Sequence, residues 1–248
     1  MSDAGSPHAC LELEDVTIEY GRARVLSGLS LSVQRGETLV LVGASGSGKT
    51  SVLRAFLGLV VPSRGAVLIG GRIASQDGTL LQPPESRGLA VVFQDLALWP
   101  HMTVHANLAF ALDARGVARS ERDRLIADLL PRLGLANRSR RYPRELSGGE
   151  RQRVALARAL VVDPVAVLFD EPLTNLDVVL KRDMLALLRE MLAARGGTAL
   201  YVTHDPREAR ALGDRVAVLH DGRIVQIGTW DELCTAPASE FVEALTEA

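Results

Sequence analysis

The sequence has few cysteines, few aromatic residues and no strong excess of either charge. Two cysteines in 248 residues cannot form a disulfide framework, and no CxxC pair is present, so we expect a reducing, cytosolic setting. With 28 basic and 30 acidic residues the formal net charge is −2, which excludes a strongly basic nucleic-acid binder. No apolar run approaches the roughly 20 residues of a membrane-spanning helix, and the first residues lack the pattern of a secretory signal.

Apolar residues make up 47% of the chain, and their spacing predicts a series of strands. Residues 11–20 and 24–33 alternate apolar and polar side chains, which predicts half-buried strands, whereas residues 38–42 are apolar throughout, as in a strand covered on both faces. Further strands are predicted at 66–69, 89–93, 165–169, 200–203, 216–219 and 223–227, the last two joined by a hairpin turn at Asp221-Gly222.

Helical segments and loops separate these strands. Residues 51–59 and most of 103–162 are predicted to be helical, and residues 74–87 to form a loop because they contain Gly78, Pro83 and Pro84. The alternation indicates an α/β fold with a mainly parallel sheet. We expect one domain over 1–248, with a core of 1–96 and 155–248 and a helical subdomain inserted at about 97–154.

A glycine-rich segment follows the apolar strand at 38–42. Residues 43–50 (GASGSGKT) match the GxxxxGK[ST] phosphate-binding loop, between a buried strand and a helix. Glycines allow the backbone N–H groups to curl around an anion, and the helix directs its positive end at it. Lys49 would contact the β- and γ-phosphates, and the Thr50 hydroxyl would ligate Mg²⁺. Only two of the 28 basic residues, Lys49 and Lys181, are lysine, which indicates a need for a compact charge in this loop, with chance placement as the alternative.

Two carboxylates and a histidine follow later strands. Asp170 and Glu171 come directly after the strand at 165–169, where Asp170 could hold Mg²⁺ and Glu171 could polarise an attacking water. His204 ends the strand at 200–203, and Asp205 is predicted to cap the next helix with Glu208 three residues later. The alternatives are two surface acids that open a loop and a structural histidine.

Residues 146–150 (LSGGE) form a second candidate anion site. Ser147 and Glu150 have the spacing of a capping box, which predicts a helix over 151–162. Gly148 and Gly149 leave the helix start without side chains, so its backbone could meet a phosphate closely. Because the chain already has one phosphate loop, a natural use for this segment is to hold the nucleotide of another subunit; an ordinary capped helix is the alternative.

In this order and spacing, the motifs resemble those of ATP-binding subunits of ABC transporters, P-loop NTPases of RecA-like fold with an additional antiparallel β portion and an inserted helical signature subdomain. The resemblance covers nearly the whole chain. It implies a Walker A motif at 43–50, a Q-loop residue Gln94, the signature at 146–150, Walker B at 165–170 and an H-loop histidine, His204.

The resemblance also implies a role for each site residue. The catalytic residues are Glu171, His204 and Gln94, and Asp177 lies in the D-loop, where Thr174-Asn175 departs from the Ser-Ala of many relatives. The residues that bind ATP are Tyr20 (stacked on adenine, or else merely a strand-end tyrosine), Gly43, Ala44, Ser45, Gly46, Ser47, Gly48, Lys49, Thr50 and Ser51. The metal ligands are Thr50, Gln94 and Asp170, and the residues that act in trans are Leu146, Ser147, Gly148, Gly149 and Glu150.

The resemblance further implies partners and a location. Two ATPase subunits, either identical or two different chains, would pack head to tail and enclose two ATP molecules between them. They would pass their motion to membrane permease subunits that dock near residues 94–104. The alternative is that this segment only forms part of the core of the helical subdomain. The chain would lie at the cytoplasmic face of the membrane. The segments most resemble bacterial importers of iron, polyamines, thiamine or sugars, which also use a solute-binding protein. Many such importers carry a C-terminal regulatory β-domain, and because this sequence ends at Ala248 we expect that domain to be absent and substrate sensing through it not to occur.

Other classes of protein fit the sequence less well. An exporter subunit shares every ATPase motif and stays open as an alternative. A soluble ABC ATPase of DNA repair needs a long coiled coil before the signature, and one of translation usually carries two cassettes. An isolated P-loop kinase has no use for the signature helix.

Overall fold

The computed structural model describes residues 9–174 and 176–247. Within these residues the strands are β1 (Ala9–Tyr20), β2 (Ala23–Gln34), β3 (Thr38–Val42), β4 (Arg64–Ile69), β5 (Arg72–Gln76), β6 (Thr79–Leu80), β7 (Leu89–Val92), β8 (Ala166–Asp170), β9 (Ala199–Thr203), β10 (Arg215–His220) and β11 (Arg223–Gly228). The helices are α1 (Lys49–Leu57), α2 (Val104–Asp113), α3 (Arg119–Arg132), α4 (Gly148–Leu160), α5 (Val178–Ala193), α6 (Pro206–Leu212), α7 (Trp230–Thr235) and α8 (Glu240–Thr246).

Two sheets organise the molecule. One has six strands in the order β11-β10-β3-β9-β8-β7, parallel except for the β10–β11 hairpin, and the other has five antiparallel strands in the order β2-β1-β4-β5-β6. The strand that precedes the glycine-rich loop, β3, lies inside the parallel sheet. The prediction of an α/β fold with a mainly parallel sheet is confirmed.

The parallel sheet is buried on both faces because its strands carry apolar side chains in both directions. In β3, Leu39 and Leu41 pack with α1 and the antiparallel sheet, whereas Val40 and Val42 pack on the opposite face with the helices. The same alternation of faces holds in β9 and β10. Because β3, β9 and β8 are adjacent and parallel, their carboxyl ends lie at one edge of the sheet, which is where parallel α/β proteins bind their ligands.

Helices α2, α3 and the first half of α4 lie in the region that is predicted to be an inserted helical subdomain. Thr103 caps α2 by accepting from the Ala106 amide, and a capping box at Ser147 starts α4. Helix α4 continues through residue 154, where the subdomain boundary is predicted, and its apolar side chains pack both in this region and against the sheet. The boundary itself stays a prediction.

Three local predictions were wrong in part. The predicted loop at 74–87 contains the end of β5, strand β6 and a short 3-10 helix at Pro84–Ser86, because Ser75 and Gln76 pair with β4 despite the nearby glycine and prolines. The first helix begins at Lys49 and ends before Gly58, whose left-handed backbone stops it. Residues between α3 and α4 are mostly turns, with a 3-10 helix at Pro143–Glu145. In the described part of the chain, no helix has the length and apolar character needed to span a membrane.

Candidate functional site

The glycine-rich loop joins the end of β3 to the start of α1. Gly48 caps α1 with a φ of 110°, a conformation that residues with a Cβ rarely adopt. Gly43 is required for another reason, because a Cβ there would lie 2.3 Å from the Leu219 carbonyl oxygen of β10. The loop thus directs backbone N–H groups and the positive end of α1 at one point, which suits a phosphate.

Lys49 lies over this loop and is almost fully buried. Its Nζ donates to the carbonyl oxygens of Gly43 (2.8 Å) and Ala44 (3.0 Å) and lies 3.6 Å from Glu171 Oε1. Desolvation by burial lowers the pKa of the Lys49 ammonium, against the attraction of the Glu171 carboxylate. An ammonium that burial makes costly to keep charged would gain strongly from a polyanion bound in the same loop.

A cavity of about 510 Å³ opens beside the loop. Its lining includes ten of the residues predicted from the sequence and one that was missed; the eleven are Tyr20, Val25, Ser45, Gly46, Gly48, Lys49, Thr50, Ser51, Gln94, Asp170 and Glu171. The Tyr20 hydroxyl lies 3.3 Å from Ser51 Oγ, and its half-exposed ring is free to stack on a base. Phosphate loop, aromatic ring and carboxylates therefore converge on one cavity.

Three oxygen donors near the base of this cavity fit a magnesium ion. Thr50 Oγ1 lies 3.5 Å from Asp170 Oδ1, and Gln94 lines the same cavity. Burial, followed by the adjacent Glu171 charge, raises the pKa of Asp170. A divalent cation here would stabilise the ionised form of Asp170, and hydroxyl, amide and carboxylate oxygens are ligands that Mg²⁺ prefers.

Glu171 and His204 form a hydrogen bond at the sheet edge. Glu171 Oε2 lies 2.7 Å from His204 Nδ1, and the Glu171 amide donates to the Val202 carbonyl (3.0 Å). The backbone of Glu171 is left-handed, with a φ of 45°, which is uncommon for a residue with a side chain. The fold therefore holds this carboxylate in one orientation beside the cavity, as a general base requires.

Behind His204 lies a buried polar network that sequence reasoning missed. Glu208 does not complete a capping box with Asp205, because its carboxylate turns inward and accepts from Tyr201 and Thr203 on β9 at 2.8 and 2.7 Å. Lys181 of α5 bridges Glu208 (2.7 Å) and Asp205 (3.1 Å). Asp205 does cap α6, as predicted. The spacing of Asp205 and Glu208 fits a capping box, and only the packing of α6 on β9 shows that the Glu208 side chain turns inward.

The segment 146–150 lies apart from the cavity, and none of its residues is in the cavity lining. The predicted capping box is present, since the Glu150 amide donates to Ser147 Oγ and the Ser147 amide donates to Glu150 Oε2. A hydrogen bond from Arg138 (2.6 Å) lowers the pKa of Glu150. Leu146 is buried, and its carbonyl accepts from Arg151 (2.8 Å).

The two glycines of this segment are not required by the chain's own packing. Among the residues that the structure describes, a Cβ at Gly148 would meet no atom within 4 Å, and one at Gly149 would make an ordinary contact of 3.5 Å with Leu180. Neither glycine has a positive φ. Packing within the described part of the chain therefore does not explain the bare backbone at the start of α4.

Asp177 caps the helix that follows the carboxylate loop. Its side chain accepts from the Val179 and Leu180 amides at 3.1 and 3.0 Å. Thr174 Oγ1 donates to the Glu171 carbonyl (3.1 Å). Asn175, part of the predicted departure from the family pattern, lies outside the described residues. Asp177 therefore has a structural role as the N-cap of α5, in addition to any role in the D-loop.

The turn between β10 and β11 also supports the glycine-rich loop. The Gly222 amide donates to the Ser47 carbonyl (3.2 Å), and the Gly222 carbonyl accepts from the Ser27 amide (3.1 Å). The hairpin signal at Asp221-Gly222 predicted the turn but not its position. Both Gly222 and the cavity residue Val25 were missed, since no local pattern marks a contact between distant segments.

Fold and site together define an α/β protein with a phosphate-binding loop. The family model described as ABC transporter matches residues 26–174. The chain belongs to this family.

Relatives of the chain include the trehalose/maltose import ATP-binding protein MalK of Thermococcus litoralis, 46% identical over 94% of this chain and 63% of MalK. The Fe(3+) ions import ATP-binding protein FbpC of Rhizobium etli is 45% identical over 94% of this chain and 65% of FbpC. The chain thus spans somewhat less than two thirds of each. Among solved structures, cbiO1 from Clostridium perfringens, part of the ABC transporter complex cbiONQ, is similar with a TM-score of 0.83 and 25% identity over 93% of this chain and 92% of cbiO1.

Proposed function

We propose that this chain binds and hydrolyses ATP as the nucleotide-binding subunit of an ABC importer for a small solute. The observation that carries the proposal is the convergence of the phosphate loop, Lys49 and Glu171 on one cavity, with His204 hydrogen-bonded to Glu171 from outside the cavity lining. The names of MalK and FbpC, both import ATP-binding proteins, support an importer rather than an exporter. MalK and FbpC are named for different solutes, trehalose/maltose and Fe(3+) ions.

In this proposal the residues of the cavity have separate tasks. The N–H groups of the loop and Lys49 hold the phosphates, and Tyr20 stacks on the base. Glu171, oriented by His204, accepts a proton from the water that attacks the γ-phosphate. Thr50, Asp170 and Gln94 would hold Mg²⁺, which neutralises charge on the phosphates when bound.

We propose further that a second copy, or a paired ATPase subunit, completes each site. The backbone of Gly148 and Gly149 is bare without an internal reason, and the capped start of α4 is a ready anion site. Ser147 and the N–H groups beside it would donate to the γ-phosphate held by the other subunit's loop. Closure of the pair on ATP and its opening after hydrolysis would shift the population between two states.

The motion would pass to membrane permease subunits docked near residues 94–104. Trp99 of this segment packs on Phe110, with ring centroids 4.6 Å apart, and Phe110 is half exposed beside a surface cavity of about 420 Å³. The cbiO1 neighbour is itself described as part of a transporter complex. We therefore propose that the chain lies at the cytoplasmic face of the membrane, with a solute-binding protein as a further partner of the importer.

The proposal is tested with the Glu171→Gln variant. Loss of the base should stop ATP turnover but leave ATP binding intact, because the loop and Lys49 are unchanged. Equilibrium binding of a fluorescent ATP analogue and phosphate release measure the two properties separately. As a matched control, Glu190→Gln on α5 removes an acid away from the cavity and should change neither. Unaltered turnover in Glu171→Gln would contradict the assignment of the base.

A further inference from the structure

The turn that carries Gln94 is attached to helix α4 by one side chain. The Leu96 amide donates to the Phe93 carbonyl (2.9 Å), which closes a turn with Gln94 inside it. Arg158, in the last third of α4, donates from Nη2 to the Leu96 carbonyl (2.9 Å) and from Nη1 to the Ala97 carbonyl (2.6 Å). The planar guanidinium thus holds two successive carbonyl groups directly after the turn.

The backbone at this point is strained. Leu96 and Ala97 have φ values of 61° and 45°, in the left-handed region that residues with a Cβ rarely adopt. Two such residues in succession persist only where surrounding contacts fix them. Charge-assisted hydrogen bonds from Arg158 to both carbonyls are contacts of this kind.

The same guanidinium contacts the segment that follows. Its carbon lies 4.9 Å from the centre of the Trp99 ring, at the distance of a cation–π contact. Arg158 itself is not part of the cavity lining, so it can influence a bound nucleotide only through other residues. Its helix, α4, begins at the signature segment, and Arg158 therefore connects that segment with the Gln94 turn.

We propose that Arg158 is a positioning residue for Gln94. By fixing the Leu96 and Ala97 carbonyls, it sets where the Gln94 amide lies relative to the metal and phosphates, and it makes the Gln94 turn and the signature helix move as one body. The proposal rests on the proposed function, since it takes ATP and Mg²⁺ as the ligands of the cavity.

The test is equilibrium binding of a fluorescent ATP analogue to the full chain, once with Mg²⁺ and once with EDTA. Arg158→Met should weaken binding with Mg²⁺ roughly tenfold, the usual scale for residues that orient a metal ligand, and should leave binding in EDTA unchanged. Arg153→Met is the matched control, because Arg153 lies on the same helix and also donates to a backbone carbonyl, that of Leu133 (3.5 Å). It should change neither value.

Equal affinities of Arg158→Met and the unmodified chain with Mg²⁺ would overturn the proposal. An equal loss with Mg²⁺ and with EDTA would also overturn it, since Arg158 would then support only the fold. No binding by the unmodified chain under either condition would instead contradict the proposed function.

Two further variants test the route of the effect. In a Gln94→Ala background, Arg158→Met should cause no additional loss with Mg²⁺, and additive losses would overturn the proposal. Leu96→Gly with Ala97→Gly should restore part of the affinity lost in Arg158→Met, because glycine adopts positive φ without strain. Failure of the glycines to restore any binding would show that the strained backbone is not what Arg158 holds.

Discussion

A substitution at Gly148 should affect function without affecting the stability of the fold. Gly148 is the first residue of α4, has no positive φ, and an added Cβ would meet none of the described residues within 4 Å, apart from its chain neighbours and its own helix backbone. Gly148→Ala should therefore change the free energy of unfolding by less than about 1 kcal/mol, and the gain in helix propensity favours stabilisation. For a chain of this size that corresponds to a shift in Tm below about 4 °C.

The same methyl group should abolish cooperation between two copies. It would stand between the start of α4 and a phosphate held by the other copy, and losing one such donor typically costs roughly 10²–10³ in rate. The assays are ATP turnover and, in a Glu171→Gln background, dimer formation with MgATP measured by light scattering. Gly43→Ala is the contrasting variant, because its Cβ would lie 2.3 Å from the Leu219 carbonyl oxygen and should destabilise the fold itself. Normal dimer formation and turnover by Gly148→Ala would refute the reasoning.

Three more predictions concern other parts of the chain. Lys49→Ala and Ser147→Arg chains, each inactive alone, should recover ATP turnover when mixed, since one composite site per pair is then intact; no recovery from two folded variants would contradict shared sites. The bond from Arg138 lowers the pKa of Glu150 below its ordinary 4.5, so its stabilisation is present above that pH and is lost as the pH falls. Glu150→Gln should accordingly lower the free energy of unfolding by roughly 0.5–1 kcal/mol at pH 7, and in urea titrations this difference should shrink below pH 4.5. Arg87→Lys should cost about 3 kcal/mol or more in the same titrations, because one ammonium cannot replace a buried guanidinium that donates to α1, to β5 and to the loop residue Gln82; a loss below about 1 kcal/mol would contradict this.

The sequence predicts those parts of the site that local patterns encode. The loop at 43–50, the carboxylates at the end of β8 and the capping box at Ser147 each depend on neighbours within a few residues, and the structure has all three. The inward turn of Glu208 could not be predicted, because the same spacing fits a capping box and the choice is made by hydroxyl groups on β9.

Contacts between distant segments were also beyond the sequence. Arg158 bonds to Leu96 and Ala97 across more than 60 positions, and no pattern marks those residues as left-handed. The short strand β6 was hidden by Gly78, since its pairing with β5 is decided by the sheet beside it. Such features follow from packing rather than from composition or periodicity.

The hydrogen bond between Gly222 and Ser47 has a practical consequence for protein engineering. Because a hairpin from far along the chain braces the anion-binding loop, a peptide or grafted cassette that carries only β3 and α1 would lack one of its supports. Transplanting this motif into another scaffold would require another amide donor for the Ser47 carbonyl. Splitting the chain before the hairpin would weaken phosphate binding by the loop until the two fragments reassociate.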